Sequence, residues 1–133
     1  MSHAIFTYGT LMFPEVMNAV CGRLYDSTPA SLEGYQLTSL ISRVYPAILP
    51  VPGARCEGLL YTGIDEDMLV TLDDFEGDEY ERVQVDVQSA GQTTSAWAYV
   101  LTASCFTLAS GQDWKTAIFR EKHLKNYLSD IQS

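Results

Sequence analysis

One acidic turn in the sequence carries the residue types that proton transfer requires. Glu76 lies within residues 72–81, a run that gathers several carboxylates around Phe75. Asp65 is predicted to cap a short helix and Gly77 to lie just past its end, which places Glu76 on the last turn. The negative end of the helix dipole, the acidic neighbours and any apolar cover would each disfavour the charged carboxylate. Glu76 is therefore a candidate proton shuttle near neutral pH, and the alternative is a solvated acid in an exposed turn.

A second candidate is the glycine turn that follows the first predicted strand. Residues 4–8 have the β-branched and aromatic pattern of a strand, and Gly9, Thr10 and Leu11 lead from it into a helix predicted over residues 14–20. The free N–H groups of such a turn can bind a carboxylate or an oxyanion, and the missing side chain of Gly9 lets a ligand approach the backbone. The alternative is an ordinary β-to-α connection that needs glycine for its dihedral angles.

The other strands are predicted from short apolar alternations bounded by turn residues. They are expected over residues 32–41, 55–62, 80–87 and 93–101, and the last two are expected to form a hairpin. Residues 23–31 are expected to be a loop. Residues 42–53 contain three prolines, which exclude a helix and favour a shaped loop or an edge strand.

Three side chains on these segments could face a pocket. Tyr80 falls on the more polar face of its predicted strand and is close enough in sequence to join Glu76. Arg43 and Tyr45 lie in the proline-rich segment. They could line a pocket. The commoner alternative for such a pair is an arginine on the surface and a tyrosine packed beside Pro46.

One closing helix is predicted, and its expected role is packing. Asp113 is expected to cap it. Its apolar stripe consists of Trp114, Ala117, Ile118, Leu124, Tyr127 and Leu128. Because no repeat, low-complexity run or linker interrupts the chain, residues 1–133 are expected to form a single domain.

The composition argues against several classes of partner. The net charge of −9 repels phosphate backbones and anionic membranes, and no stretch approaches the length of a membrane span, so neither nucleic acid nor membrane is expected as a partner. Cys21, Cys56 and Cys105 form no C-x-x-C pair, which indicates reduced, buried thiols in a cytoplasmic protein. His3 and His123 lie near opposite ends of the chain and supply no zinc-ligand spacing.

Three large enzyme classes lose support because their motifs are absent. The sequence contains no G-x-S-x-G elbow, no phosphate-binding G-x-x-x-x-G-K-[ST] loop and no G-x-G-x-x-G fingerprint. No cysteine lies at an evident helix start with basic neighbours, so a cysteine nucleophile is also disfavoured. What remains is a carboxylate that works with backbone donors, a site that needs no cofactor and no metal.

Short motifs follow one another in a characteristic order along residues 4–101. They are Tyr8-Gly9-Thr10-Leu11, Gly34-Tyr35, Tyr45-Pro46-Ala47, Glu57-Gly58-Leu59-Leu60-Tyr61, Leu72-Asp73-Asp74-Phe75-Glu76-Gly77, Tyr80-Glu81-Arg82 and Ala98-Tyr99. In this order and spacing they resemble the γ-glutamylcyclotransferase-like family. The closing helix, with Trp114 and Tyr127-Leu128, is similar to that of bacterial and plant members.

That resemblance implies a mixed α/β (α+β) fold around a small, curved β-barrel with a central cavity, short flanking helices and a C-terminal packing helix. The family's catalytic acid/base corresponds to Glu76, and a substrate-side tyrosine corresponds to Tyr80. The backbone that binds the γ-glutamyl moiety corresponds to Tyr8, Gly9, Thr10 and Leu11. Residues 9–11 differ from the Gly-Ser-Asn loop of other members, which places this chain nearer the γ-glutamylamine-type branch.

The implied activity is release of 5-oxoproline from a γ-glutamyl amine or γ-glutamyl peptide, a small-molecule substrate. The substrate's own α-amine would attack its γ-carbonyl, while Glu76 moves the proton and the loop N–H groups hold the oxyanion. Two alternatives stay open. One is a non-catalytic member that binds a small metabolite or reports stress, and the other is an amide hydrolase with water as the nucleophile.

Overall fold

The computed structural model describes residues 2–132, apart from the side chain of Gln132. Its strands are β1 (His3–Thr7), β2 (Ser27–Ser39), β3 (Pro46–Ile64), β4 (Tyr80–Ser89) and β5 (Gln92–Leu101). Its helices are α1 (Pro14–Cys21), α2 (Glu66–Glu76), α3 (Thr116–Lys122) and α4 (Leu124–Gln132), with 3-10 turns at Thr10–Met12 and Ala103–Leu108. No helix in this part of the chain is long and apolar enough to cross a membrane.

The five strands close into a barrel in the order β1-β3-β2-β4-β5. β1 pairs antiparallel with β3 and parallel with β5, where Ile5 lies opposite Trp97. β2 pairs with β3 along most of its length and meets β4 at Ser31 and Gln88, while β4 and β5 form the predicted hairpin. The predicted mixed α/β fold with a strongly curved sheet and short helices is confirmed.

Alternation along the strands divides the core into two layers. On β5, Ala96, Ala98 and Val100 belong to one apolar cluster, together with Phe6 of β1. The alternate residues of β5 belong to a second cluster, which also includes residues of all four helices. These alternate residues are Trp97, Tyr99 and Leu101. The barrel therefore has one apolar filling of its own and a second apolar layer beneath its helices.

Helix α2 has the predicted caps. The Asp65 side chain accepts a hydrogen bond of 2.8 Å from the N–H of Met68, which satisfies a donor at the helix start. Leu69 and Leu72 are buried in the apolar layer beneath the helices. Gly77 ends the helix with a φ of 78°, a conformation that glycine adopts without steric cost. Glu76 is consequently the last helical residue.

Two segments predicted as loops are partly strand. β2 already begins at Ser27, inside the segment 23–31, and β3 begins at Pro46, inside the segment 42–53. The first part of β3 pairs with β2 alone, with Pro50 opposite Tyr35, whereas β1 pairs only with the later part. Proline is tolerated there because its missing N–H leaves no ladder bond broken on the unpaired side. The edge-strand alternative was therefore the right one for residues 46–53.

The single closing helix was a wrong prediction. The chain forms α3 and α4, which are separated at His123, and Lys115 rather than Asp113 occupies the cap position of α3, without a side-chain cap bond. Phe119 is buried, whereas Ile118 is 46% exposed. The Phe119 ring lies 5.3 Å from that of Phe13, so burying this aromatic ring sets the orientation of α3 instead of the predicted stripe.

The two neighbouring residues of α3 provide a test of this correction. Phe119→Ala should lower the free energy of unfolding by about 3–5 kcal/mol, because it empties a fully buried aromatic site. Ile118→Ala should change it by only about 0.5 kcal/mol, because that side chain is largely in solvent. Urea denaturation followed by circular dichroism measures both. Equal losses for the two variants would mean that α3 presents a different face to the core.

Candidate active site

One cavity of about 110 Å³ opens where the end of β1, the start of β3, the end of α2 and the start of β4 meet. Its lining includes every residue that the sequence analysis assigned to the site, namely Tyr8, Gly9, Thr10, Leu11, Glu76 and Tyr80. Residues from opposite halves of the chain are thus brought around one space. The lining also includes Phe6, Thr7, Tyr45, Pro46, Phe75, Tyr99 and Tyr127.

Glu76 is the only acidic or basic residue among the described residues that line this cavity. Its side chain is partly exposed, and no hydrogen bond contributes to its pKa within residues 2–132. Burial raises the pKa of Glu76 to about 8, since removal from water disfavours the charged form. The group can therefore hold or release a proton near neutral pH.

The acidic neighbours of Glu76 do not cause this shift. Asp73, one turn earlier on α2, accepts hydrogen bonds of 2.8 and 3.3 Å from the guanidinium of Arg82. It also accepts a bond of 2.7 Å from the Tyr99 hydroxyl. This acid, one turn before Glu76, is thus paired with a cation, and burial alone raises the Glu76 pKa. The Arg82 guanidinium also stacks 4.4 Å from the Trp97 ring, which ties α2 to β4 and β5.

The glycine turn lines the cavity and contains backbone donors without a partner among the described residues. The N–H groups of Gly9, Thr10 and Leu11 donate no hydrogen bond to any other group among residues 2–132, while the Gly9 carbonyl accepts from Met12 N–H at 3.0 Å. Such donors can bind an anionic oxygen. A Cβ at Gly9 would lie 2.8 Å from Cγ of Pro46. Glycine is therefore required at position 9 because Pro46 packs closely against it. The sequence analysis had considered a different reason, the dihedral freedom of glycine.

Tyrosines form most of the remaining wall, and they are neutral. The Tyr8 hydroxyl donates to the Tyr99 carbonyl at 2.7 Å, and the Tyr80 hydroxyl donates to the Pro46 carbonyl at 2.6 Å. Burial raises the pKa of both hydroxyls well above the ordinary value, and the charge on Glu76 raises them further. The tyrosines therefore keep their protons, and Glu76 is the group of this wall whose raised pKa lies near neutrality.

Several lining residues had no clear signal in the sequence. Tyr45 was considered and does line the cavity, whereas Arg43 pairs with Glu79 outside it. Tyr127 comes from α4, and its hydroxyl lies 3.3 Å from Oγ1 of Thr10, a contact between residues 117 positions apart. Nothing in the local pattern around Tyr127 distinguishes it from a packing residue. Only its place in the fold brings it to the glycine turn.

Comparison with known proteins supplies the family. The model of the family described as gamma-glutamyl cyclotransferase, AIG2-like, matches residues 5–116. This chain belongs to that family. AIG2-like protein D of Arabidopsis thaliana is 30% identical over an alignment of 133 residues. The alignment covers 95% of this chain and 84% of that protein.

Solved structures agree with this fold. A solution structure of an Arabidopsis thaliana protein superposes with a TM-score of 0.76 at 27% identity, covering 99% of this chain and 81% of that one. A structure named gamma-glutamyl cyclotransferase superposes with a TM-score of 0.69 over 100% of this chain and 88% of its own, at 15% identity. At that identity the second likeness concerns the fold alone.

No group of three or more His, Cys, Asp or Glu side chains in the described part of the chain is arranged to hold a metal ion. All three cysteines are unpaired, but only Cys56 is buried, so the expectation of buried thiols holds for one of the three. Burial raises the pKa of Cys56 to about 12, which leaves its thiol protonated and inert.

The raised pKa of Glu76 has a consequence for stability. Between pH 4.5, the ordinary glutamate value, and about pH 8, the folded state holds a proton that the unfolded state has lost. Stability conferred by this site therefore falls as pH rises through that window, by at most about 1.4 kcal/mol per pH unit. Glu76→Gln should remove this loss of folding free energy. The free energy of unfolding of the variant should therefore exceed that of the wild type by a margin that grows from pH 5 to pH 8.

Urea denaturation at a series of pH values checks this prediction, and Glu15→Gln is the control with the opposite sign. A hydrogen bond from Arg120 lowers the pKa of Glu15, so its contribution to stability is present at neutral pH and is lost on acidification. Glu15→Gln should thus be less stable than the wild type at pH 7. A Glu76→Gln difference that stays constant with pH would contradict a raised Glu76 pKa.

Proposed function

We propose that this protein is a γ-glutamylcyclotransferase that releases 5-oxoproline from a γ-glutamyl amine or γ-glutamyl peptide. The observation that supports the proposal most directly is the pairing, around one cavity, of Glu76 with the unused N–H groups of Gly9, Thr10 and Leu11. A proton acceptor and a set of oxyanion donors are the two parts that this reaction needs. Family membership supports the same reaction class.

The reaction is an internal acyl transfer. The α-amine of the bound γ-glutamyl group attacks the γ-carbonyl carbon, and a bent conformation makes this a unimolecular step with a high effective concentration. Glu76 accepts a proton from the attacking nitrogen and returns it to the departing amine as the original amide bond breaks. The N–H groups of the glycine turn stabilise the negative oxygen of the tetrahedral intermediate. The products are 5-oxoproline and a free amine.

The glycine turn and Tyr80 are the expected contacts of the substrate. The backbone of Tyr8, Gly9, Thr10 and Leu11 binds the γ-glutamyl moiety, and Tyr80 lies beside it. Proton transfer by Glu76 and hydrogen bonding by backbone groups need no cofactor in this scheme. We place the enzyme in the cytoplasm because it carries three unpaired cysteines, and we expect a small molecule rather than nucleic acid or a membrane as its partner.

Replacement of Glu76 tests the chemistry. Glu76→Gln should reduce 5-oxoproline release roughly 10²- to 10⁴-fold, since the amide keeps the shape of the side chain but cannot shuttle a proton. Asp74→Asn is the matched control, because Asp74 is an exposed acid of the same helix that does not line the cavity. The measurement is a coupled 5-oxoproline assay with γ-glutamyl dipeptides, γ-glutamyl-ε-lysine and glutathione.

The products distinguish the candidate reactions. Release of glutamate instead of 5-oxoproline would show that water is the nucleophile and that the protein is an amide hydrolase. Binding without turnover of any of these compounds would indicate a non-catalytic member of the family. Undiminished 5-oxoproline release by Glu76→Gln would remove Glu76 from the mechanism.

The pH dependence of kcat/KM tests the same group in the free enzyme. Only the carboxylate form of Glu76 can accept the proton, so kcat/KM should rise about tenfold per pH unit up to the Glu76 pKa and level off above it. That pKa is about 8. A profile already flat between pH 6 and pH 8 would be incompatible with Glu76 as the base.

A further inference from the structure

Most hydroxyl groups in the cavity wall already donate their protons to the protein. Those that donate to a carbonyl or a carboxylate belong to Thr7, Tyr8, Tyr45, Tyr80 and Tyr99. The hydroxyls of Thr10 and Tyr127 also belong to the lining, and each has the other, at 3.3 Å, as its only hydrogen-bond partner within residues 2–132. Two hydroxyls carry two protons, and the bond between them uses one. One O–H of this pair is therefore left for a ligand.

The free proton of the pair is assigned to Tyr127. A phenol is more acidic than an aliphatic hydroxyl and is therefore the stronger donor. Burial raises the pKa of Tyr127 to about 12, and the hydrogen bond with Thr10 acts in the opposite direction, as a bond donated to the phenolic oxygen does. In this arrangement Thr10 donates to Tyr127, and the Tyr127 O–H has no acceptor among the described residues.

The Tyr127 ring is held in place by two other aromatic rings. It meets the Phe75 ring edge-on with the centroids 6.3 Å apart, and it meets the Phe119 ring at 5.4 Å. Phe75 lines the cavity and precedes Glu76 on α2, whereas Phe119 is buried. Tyr127 thus connects α4 to the glycine turn through Thr10 and to the end of α2 through Phe75. Its hydroxyl belongs to the same wall as the backbone donors of the turn.

The charges around the cavity limit what this hydroxyl can bind. Glu76 is the only acidic or basic residue in the described lining, so no cation there can pair with an anionic ligand. A γ-glutamyl group carries an α-carboxylate, which has an ordinary pKa of about 3.5 and is charged at neutral pH. The donors without a partner in this lining are neutral, namely the N–H groups of the glycine turn and the Tyr127 O–H. Neutral donors bind a carboxylate more strongly than they bind a neutral acceptor.

We infer that Tyr127 is a substrate-binding residue whose hydroxyl donates to the α-carboxylate of the γ-glutamyl group, with Thr10 holding that hydroxyl in place. This assignment rests on the proposed function. The residues that match the family model end at 116, so α4 supplies the contact from outside them. The α-carbon of the substrate bears both the carboxylate and the attacking amine. A carboxylate fixed by Tyr127 therefore also restricts the approach of the amine.

A pair of ligands tests the inference without turnover. γ-Glutamyl butylamide carries the α-carboxylate, and 4-aminobutyryl butylamide lacks it but keeps the amine and the amide. Binding is measured by NMR titration, which detects weak binding, in the Glu76→Gln background, where turnover is suppressed. Adding Tyr127→Phe should weaken binding of γ-glutamyl butylamide about tenfold, because a hydrogen bond to a charged group is lost, and should change binding of 4-aminobutyryl butylamide less than about twofold.

Three further variants in the same background sharpen the result. Thr10→Ser keeps a hydroxyl beside Tyr127 and should retain the affinity, whereas Thr10→Val leaves the phenol in place and should weaken γ-glutamyl butylamide less than Tyr127→Phe does. Tyr25→Phe is the matched control, since it removes a phenolic hydroxyl outside the cavity and should alter neither ligand. Tyr127→Phe keeps the ring that contacts Phe75 and Phe119, and thermal unfolding establishes that each variant is folded.

Equal weakening of both ligands by Tyr127→Phe would show that Tyr127 only shapes the cavity, and it would overturn the inference. Unchanged binding of γ-glutamyl butylamide would also overturn it, and a selective loss in Thr10→Val instead would identify Thr10 as the donor. Failure of the parent protein to bind γ-glutamyl butylamide would likewise refute the assignment. Release of 5-oxoproline by the wild type is measured separately. Its absence would refute the proposed reaction, whereas a selective loss in Tyr127→Phe would still show that Tyr127 binds a carboxylate.

Discussion

The constraint on which the rest of the site depends is the burial of a carboxylic acid without a cation beside it. Glu76 lines a cavity whose other described lining residues are neutral, and burial is the cause of its raised pKa. An ionised carboxylate is costly in such surroundings, so the proton is retained up to a pH near 8. A purely structural acid would gain stability from a partner. A proton shuttle in the proposed reaction would need a pKa raised in this way.

The surrounding structure keeps that carboxylate in place while withholding charge from it. Arg82, a nearby cation, is occupied by Asp73 and stacked on Trp97, so it anchors α2 without neutralising Glu76. Gly77 then ends the helix immediately after the acid. Elsewhere in the lining, the contact between Gly9 and Pro46 fixes the glycine turn against β3. These contacts hold Glu76 and the glycine turn around one cavity.

Features encoded within a few residues were predictable from the sequence. The Asp65 cap, the stop at Gly77 and the β4–β5 hairpin follow from local preferences, and the structure has all three. The strand through Pro46 and Pro50 was harder to predict from the sequence, because a strand tolerates proline only where its N–H side is unpaired. The orientation of α3 was not predictable, because it depends on packing of Phe119 against Phe13, a contact between distant parts of the chain.

The same division applies to the candidate site. Glu76 and the glycine turn stand out because their residue types are chemically distinctive, whereas Tyr99 and Tyr127 are ordinary aromatic residues until the fold brings them to the cavity. The curved barrel came from resemblance to a family and not from periodicity, since alternation along a strand does not reveal how a sheet closes. The roles of individual residues in the reaction remain predictions that rest on geometry.

The most direct measurement of the central claim is a titration of the Glu76 carboxyl by ¹³C NMR in protein labelled at the glutamate side chains, with Glu76→Gln used to assign its signal. We expect a titration midpoint of about 8 for this one carboxyl. A midpoint close to 4.5, the value of an ordinary glutamate, would contradict it.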